Sequence, residues 1–222
     1  MDSANAQADA AASAGDRARA PADPSARKRV LNVGGGNKSI AIPEWYAGWD
    51  HLLLDVDSRG QPDIVCDARR LDTLPGDQFD AVYCSHNLEH YYKHDALRVL
   101  NGMRHVLKPE GFAEIRVPDI TSVVRRMVMC NMDIEDVLFT SPAGPITIRD
   151  VLYGWAVEIE RSGQDFYAHK NGFTAASLSE LIRAAGFQTG YVLIFPDAYE
   201  LRSYAFRSAP TPEQRVLLGL GK

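Results

Sequence analysis

Long apolar runs are missing from this sequence. No stretch approaches the roughly 20 consecutive apolar residues needed to cross a bilayer, and the N-terminal segment lacks the apolar core of a secretory signal. Cysteine is scarce: Cys66, Cys84 and Cys130 are the three present, far apart and without a C-x-x-C pair. That excludes a zinc-ribbon or dithiol motif and argues against a disulfide framework. Excess positive charge is also lacking. A formal net charge of −5 argues against an electrostatic grip on nucleic acid, which needs a strongly basic surface. The expectation is a cytoplasmic protein with no membrane span and no nucleic-acid partner. Its oligomeric state is left open.

The 222 residues are 45% hydrophobic and 24% charged, which suits one α/β domain with a sizeable core. Residues 1–28 are rich in Ala, Ser, Asp and Arg, with Pro21 and Pro24 near their end. No periodic apolar face runs through them, so they read as a disordered tail, and the folded domain spans 29–222. Short runs with the length and composition of strands follow, at Val30–Val33, His51–Val56, Asp63–Cys66, Phe79–Cys84 and Phe112–Val117. A helix is predicted over 93–107 from the apolar spacing of Ala96, Leu100, Met103 and Leu107, and Lys108-Pro109-Glu110-Gly111 stops it. From 120 to 170 the pattern predicts a helical insertion. Thr147 and Asp150 form a capping pair there, and Ile148, Val151, Leu152, Trp155 and Ile159 form an apolar stripe. A helix over 174–185 ends at Gly186, and two closing strands lie near 191–195 and 201–206. The sum is a doubly wound, mostly parallel α/β sheet with an antiparallel strand pair at its C-terminal edge.

Ligands of such sheets sit beyond the carboxyl ends of the strands, so the residues at those ends matter most. The first run ends in Gly34-Gly35-Gly36, which lets the backbone turn sharply and approach a ligand. The second ends at Asp55, 21 residues after Gly34, a spacing suited to accepting two ribose hydroxyls. The third ends at Asp67-Ala68 and the fourth at Ser85-His86-Asn87. Glycine, acid, acid and a polar cluster at four successive strand ends suit a nucleoside.

In LNVGGGN (31–37), LLLDVD (52–57), IVCDARRL (64–71), FDAVYCSHNLEH (79–90), HVLKPEGFAEIRVPD (105–119) and GFTAASLSELIRAAGF (172–187), the chain resembles the class I S-adenosylmethionine-dependent methyltransferases. It is most like the small type 11 group often associated with polysaccharide and small-molecule biosynthesis. The resemblance implies a Rossmann-like, seven-stranded sheet and S-adenosyl-L-methionine as cofactor. It implies that Gly34 and Gly36 border the methionine part, Asp55 binds the ribose with Val56 against adenine, and Asp67 and Ala68 bind the adenine edge. Ser85 and His86 would line the inner side. One departure stands out: Lys38 occupies the place of the family's third glycine.

Methyl transfer from a sulfonium is a direct displacement in which the protein aligns the reactants. The expected acceptor is a small molecule or saccharide. If it is a hydroxyl, His90 and His169 are the candidate bases. His86-Asn87-Leu88-Glu89-His90 also matches the H-x-x-E-H pattern of some zinc peptidases, with no obvious third ligand. A zinc hydrolase using His86, Glu89 and His90 is therefore the alternative, beside a non-catalytic nucleoside-binding module. A nicotinamide dehydrogenase is disfavoured because Ser39 stands at the third glycine of G-x-G-x-x-G. The leading reading has a bound nucleoside cofactor and no metal.

Overall fold

The computed structural model describes residues 27–142 and 144–221; nearly all of the expected N-terminal tail lies outside them. The first half is sheet: β1 (Arg29–Val33), β2 (Asp50–Asp55), β3 (Ile64–Val65) and β4 (Phe79–Ser85), then α1 (Lys93–Val106) and β5 (Leu107–Pro118). There follow α2 (Ile120–Met129), the hairpin β6 (Val137–Ser141) and β7 (Gly144–Thr147), α3 (Ile148–Tyr153) and α4 (Ala156–Ser162). The chain closes with α5 (Ala175–Ala184), β8 (Thr189–Phe195), β9 (Glu200–Phe206) and α6 (Pro212–Leu217).

Seven strands form one sheet in the order β3-β2-β1-β4-β5-β9-β8. The first five are parallel, and β9 runs antiparallel to both β5 and β8. The antiparallel strand thus lies inside the sheet rather than at its edge, which β8 occupies. Strand order reverses between β1 and β4, which pair through Leu31 and Val82. The loops after these neighbours diverge there and open a crevice.

One face of the sheet packs Leu31, Val82 and Ile115 against Leu100 and Met103 of α1 and Leu178 and Ile182 of α5. On the other, Tyr46, Phe112 and Phe206 pack with Leu218 and Leu220, which follow α6. Each fully buried large apolar side chain contributes about 1.5–3 kcal/mol. The links β1–β2, β2–β3 and β3–β4 contain single 3-10 turns or a short kinked run of them in place of α-helices. Tyr46 and its neighbours Trp45 and Trp49 cover part of the second face.

The insertion is not all helix. Val137-Leu138-Phe139-Thr140 is β-branched and aromatic, Pro142 cannot continue a helix, and the segment folds back as β6–β7. The stripe from Ile148 to Ile159 also breaks, because Gly154 sits at φ +99° between α3 and α4. Ile148 and Val151 are buried against Val123, whereas Trp155 is largely exposed. Thr147 and Asp150 form the expected reciprocal cap. Helix α6, capped by Thr211 and Gln214, has no counterpart in the sequence reading.

Candidate functional site

The crevice is an open cleft of about 700 Å³ at the carboxyl ends of the strands. Gly34 and Gly36 adopt φ of +72° and +71°, where other residues are strained. The Gly34 amide donates to the Leu54 carbonyl at 2.8 Å, and any side chain at Gly34 would run into that of Asn87. Asp55 ties the next layer together: Oδ2 accepts from the Gly36 amide at 2.9 Å and Oδ1 from the Asp57 amide at 2.8 Å. A carboxylate has lone pairs left for a ligand after two such bonds. Lys38 points elsewhere, its Nζ 2.7 Å from Asp63, which also accepts from the Leu53 amide. Gly60 instead abuts the Gly36 carbonyl, where a Cβ would not fit.

Two further acids on the cleft wall are held by an arginine two residues on. Asp57 accepts from the amide and guanidinium of Arg59, which holds its pKa down at about 2. Asp67 accepts from Arg69 in the same way. Burial pushes the Asp67 pKa up, but these bonds more than offset it. Phe166 and Tyr167, with Arg161 and Lys170, line the same cleft. The Tyr167 hydroxyl lies 3.4 Å from Asp57.

Glu89 lies deeper, in a 3-10 turn (Leu88–His90), and is 1% exposed. Neither of its carboxylate oxygens has a hydrogen-bond partner. The nearest charges are His86 Nδ1 at 3.5 Å and His169 Nε2 at 4.0 Å. Burial pushes the Glu89 pKa up, but the His86 imidazole beside it reverses the direction and holds it low. His86 is half exposed, has φ +48°, and sets Nε2 3.1 Å from Glu200. Desolvation opposes its charge, and the carboxylates of Glu200 and Glu89 raise its pKa nonetheless. His169 is shifted the other way, toward the neutral form, chiefly by burial.

The segment bearing His169 is fastened by backbone bonds. Its amide donates to the Tyr153 carbonyl at 3.0 Å, and the amides of Lys170 and Asn171 donate to the Glu89 carbonyl at 2.9 and 3.1 Å. Gly154 permits this, because any side chain there would strike the Tyr167 carbonyl and Ala168. His90 and His169 meet edge to face at a centroid distance of 4.8 Å.

Of the residues singled out from the sequence, Gly34, Gly36, Asp55, Val56, Asp67, His86 and His90 line this one cleft. Ala68 is buried, Ser85 is half-buried, and neither is on its wall; His169 lies behind His90. The H-x-x-E-H stretch is a strand end and a 3-10 turn, so His86 and His90 do not share a helical face as a zinc peptidase pair does. Arg59, Arg69, Phe166 and Tyr167 escaped the sequence reading. The repeated Asp-x-Arg at 57–59 and 67–69 was the available signal for the first two; nothing local announced the aromatic pair.

A family model described as a methyltransferase domain matches residues 5–191. No curated protein matches the sequence. Among solved structures, the chain is similar to the PH0226 protein from Pyrococcus horikoshii OT3, at 16% identity, with 82% of each chain covered and a TM-score of 0.51. It is also similar to a SAM dependent methyltransferase from Archaeoglobus fulgidus, at 18% identity, 76% of this chain and TM-score 0.49. The CurJ carbon methyltransferase matches at 12% identity over 84% of this chain, with a TM-score of 0.50. This chain spans 65% of the length of the Archaeoglobus protein and 50% of the CurJ chain. At these identities the likeness to the Pyrococcus protein and to the CurJ domain is one of fold alone.

Proposed function

The chain belongs to the class I S-adenosylmethionine-dependent methyltransferase family, and on that premise we propose that it moves a methyl group from this cofactor to a small-molecule or saccharide acceptor. The observation that carries the reading is the meeting of Gly36, Asp55, Asp67 and His86 on one cleft, with Asp55 joining the first two strand-end loops. The residues fit the parts of the cofactor. Gly34 and Gly36 give the side-chain-free backbone that the methionine end requires. Asp55 retains acceptor capacity for the ribose hydroxyls, with Val56, half exposed, as the apolar contact for adenine. Asp67, with Ala68 beneath it, stands for the adenine amine, and Ser85 and His86 for the inner edge.

When bound, the cofactor supplies the activated methyl group on its sulfonium. The protein aligns the acceptor and excludes water. Phe166 and Tyr167 beside Arg161 and Lys170 give the acceptor side an aromatic face with charged hydrogen-bonding groups, a chemistry suited to a polyhydroxylated molecule. His90, on the cleft wall, is the group we place against the acceptor, with His169 supporting it from behind.

S-adenosylhomocysteine is the direct probe. At about one hundred times its Kd a ligand stabilises by about 2.7 kcal/mol, which raises Tm by roughly 5–10 °C for a domain of this size. Asp55→Ala abolishes the shift. A wild-type protein whose melting does not respond to saturating S-adenosylhomocysteine refutes the assignment. Cofactor-dependent methylation across a panel of sugars and small metabolites then defines the acceptor.

A further inference from the structure

We propose that Glu89, His90 and His169 together bind a divalent transition-metal ion at the inner wall of the cleft. This deepens the methyltransferase reading and rests on it for the ion's task, but not for ion binding itself.

The first observation is proximity. One ligand atom from each of these three side chains lies within 4.8 Å of the others. Side-chain adjustments of about an ångström bring all three to the roughly 2.0–2.2 Å that zinc requires. The second is the state of the histidines. His90 Nδ1 lies 3.2 Å from the Ala168 carbonyl oxygen and His169 Nδ1 lies 2.9 Å from that of Val151. A carbonyl only accepts, so each Nδ1 carries the hydrogen, which leaves Nε2 as the ring atom through which each histidine can ligate. A backbone carbonyl that fixes the tautomer this way is the usual outer partner of a metal-binding histidine. The third is the orphaned carboxylate. Glu89 is 1% exposed and meets no donor at good hydrogen-bond geometry, its one close cation being His86 at 3.5 Å, itself shared with Glu200, so the carboxylate has capacity left for a further cation.

Two imidazoles and one carboxylate favour zinc, manganese or iron over magnesium, which prefers oxygen ligands throughout. Three protein ligands leave at least one position free. His90 stands on the cleft wall with Glu89 and His169 behind it, so an ion held by the three would lie at the wall, next to the place assigned to the acceptor. An acceptor oxygen seated there is oriented and made more acidic by the ion, and His90 and His169 then serve as ligands rather than as free bases.

The test uses the full chain without a histidine tag, stripped with a chelator and titrated separately with Zn²⁺ and Mn²⁺, with bound metal measured after desalting. His90→Asn and His169→Asn are the informative variants, because asparagine keeps a donor near Nδ1 and removes the Nε2 ligand atom. The wild type should retain one equivalent of at least one of these ions, and each variant should lose more than about tenfold in affinity. Unchanged melting of the metal-free variants, and a preserved S-adenosylhomocysteine shift, show that they fold. No uptake by the wild type, or equal uptake by both variants, overturns the site and leaves His86 as the charge that compensates Glu89. Uptake without an S-adenosylhomocysteine shift keeps the ion site and removes methyl transfer; a shift without uptake does the reverse.

Discussion

Glu114, in the middle of β5, and Glu89, just past β4, are withdrawn from solvent to almost the same degree, 0% and 1% exposed. Their surroundings differ. Glu114 accepts from the Tyr46 hydroxyl at 3.0 Å, the Trp45 indole at 3.1 Å and the Arg116 guanidinium at 2.9 and 2.7 Å. Burial still raises its pKa, because those partners offset only part of the desolvation. Glu89 has no hydrogen bond to its carboxylate, and three imidazoles gather round it instead. A buried acid with its donors supplied locally is part of the architecture. One left without such donors, just behind the wall of a cleft, has capacity for something else to complete.

The largest effect expected from this contrast is on stability. Glu114→Ala strands the Arg116 guanidinium, itself only 15% exposed, and should cost about 3–5 kcal/mol in urea unfolding. Glu89→Gln removes a desolvated charge with no hydrogen bond to lose. It should leave the metal-free protein within about 1 kcal/mol of the wild type while abolishing ion uptake. Equal losses from the two substitutions would erase the distinction between them.

Next comes Gly154→Ala, which presses on the segment carrying His169 without approaching Glu114. A side chain at φ +99° with no room for a Cβ costs more than about 1 kcal/mol. Metal uptake should weaken and the S-adenosylhomocysteine shift should remain, as paired titrations would show. The smallest effect belongs to a third acid, Asp57, more open than either glutamate and already paired. Its pKa is lowered to about 2 by Arg59, so its stabilising contribution is present above the ordinary range of about 4. That contribution disappears as pH falls through about 2. Because Arg59 is 60% exposed, solvent screens most of the benefit. Asp57→Asn should flatten the acid limb of a melting-versus-pH curve slightly and leave neutral pH nearly unchanged.

Legibility in the sequence followed the range of the interactions. The strands of the main sheet, α1 and the α5–Gly186 stop were written locally, in apolar spacing and turn residues, and the fold class followed. The gathering of Gly36, Asp55, Asp67 and His86 on one cleft was legible too, because the topology puts the ends of β1, β2 and β4 together whatever else happens. The insertion was not. Its residues alternate and repeat ambiguously, and the hairpin and the break at Gly154 are settled by packing against Val123 and against residues 167–168. The partnership of Glu89 with His169 spans 80 positions and arises only when Lys170 and Asn171 bond to the Glu89 carbonyl. H-x-x-E-H was visible, but the ligand atoms that the fold gathers are those of Glu89, His90 and His169, and the last of these lies outside the motif.

Those last two bonds carry a wider consequence. The residues that would meet an acceptor hang from main-chain atoms of the turn after β4, so their attachment does not depend on which side chains they carry. If the acceptor meets Phe166 and Tyr167 as proposed, substitutions there change what is recognised without loosening the hook from which that surface is suspended. Such an arrangement lets specificity drift during evolution while the nucleoside half of the molecule stays fixed.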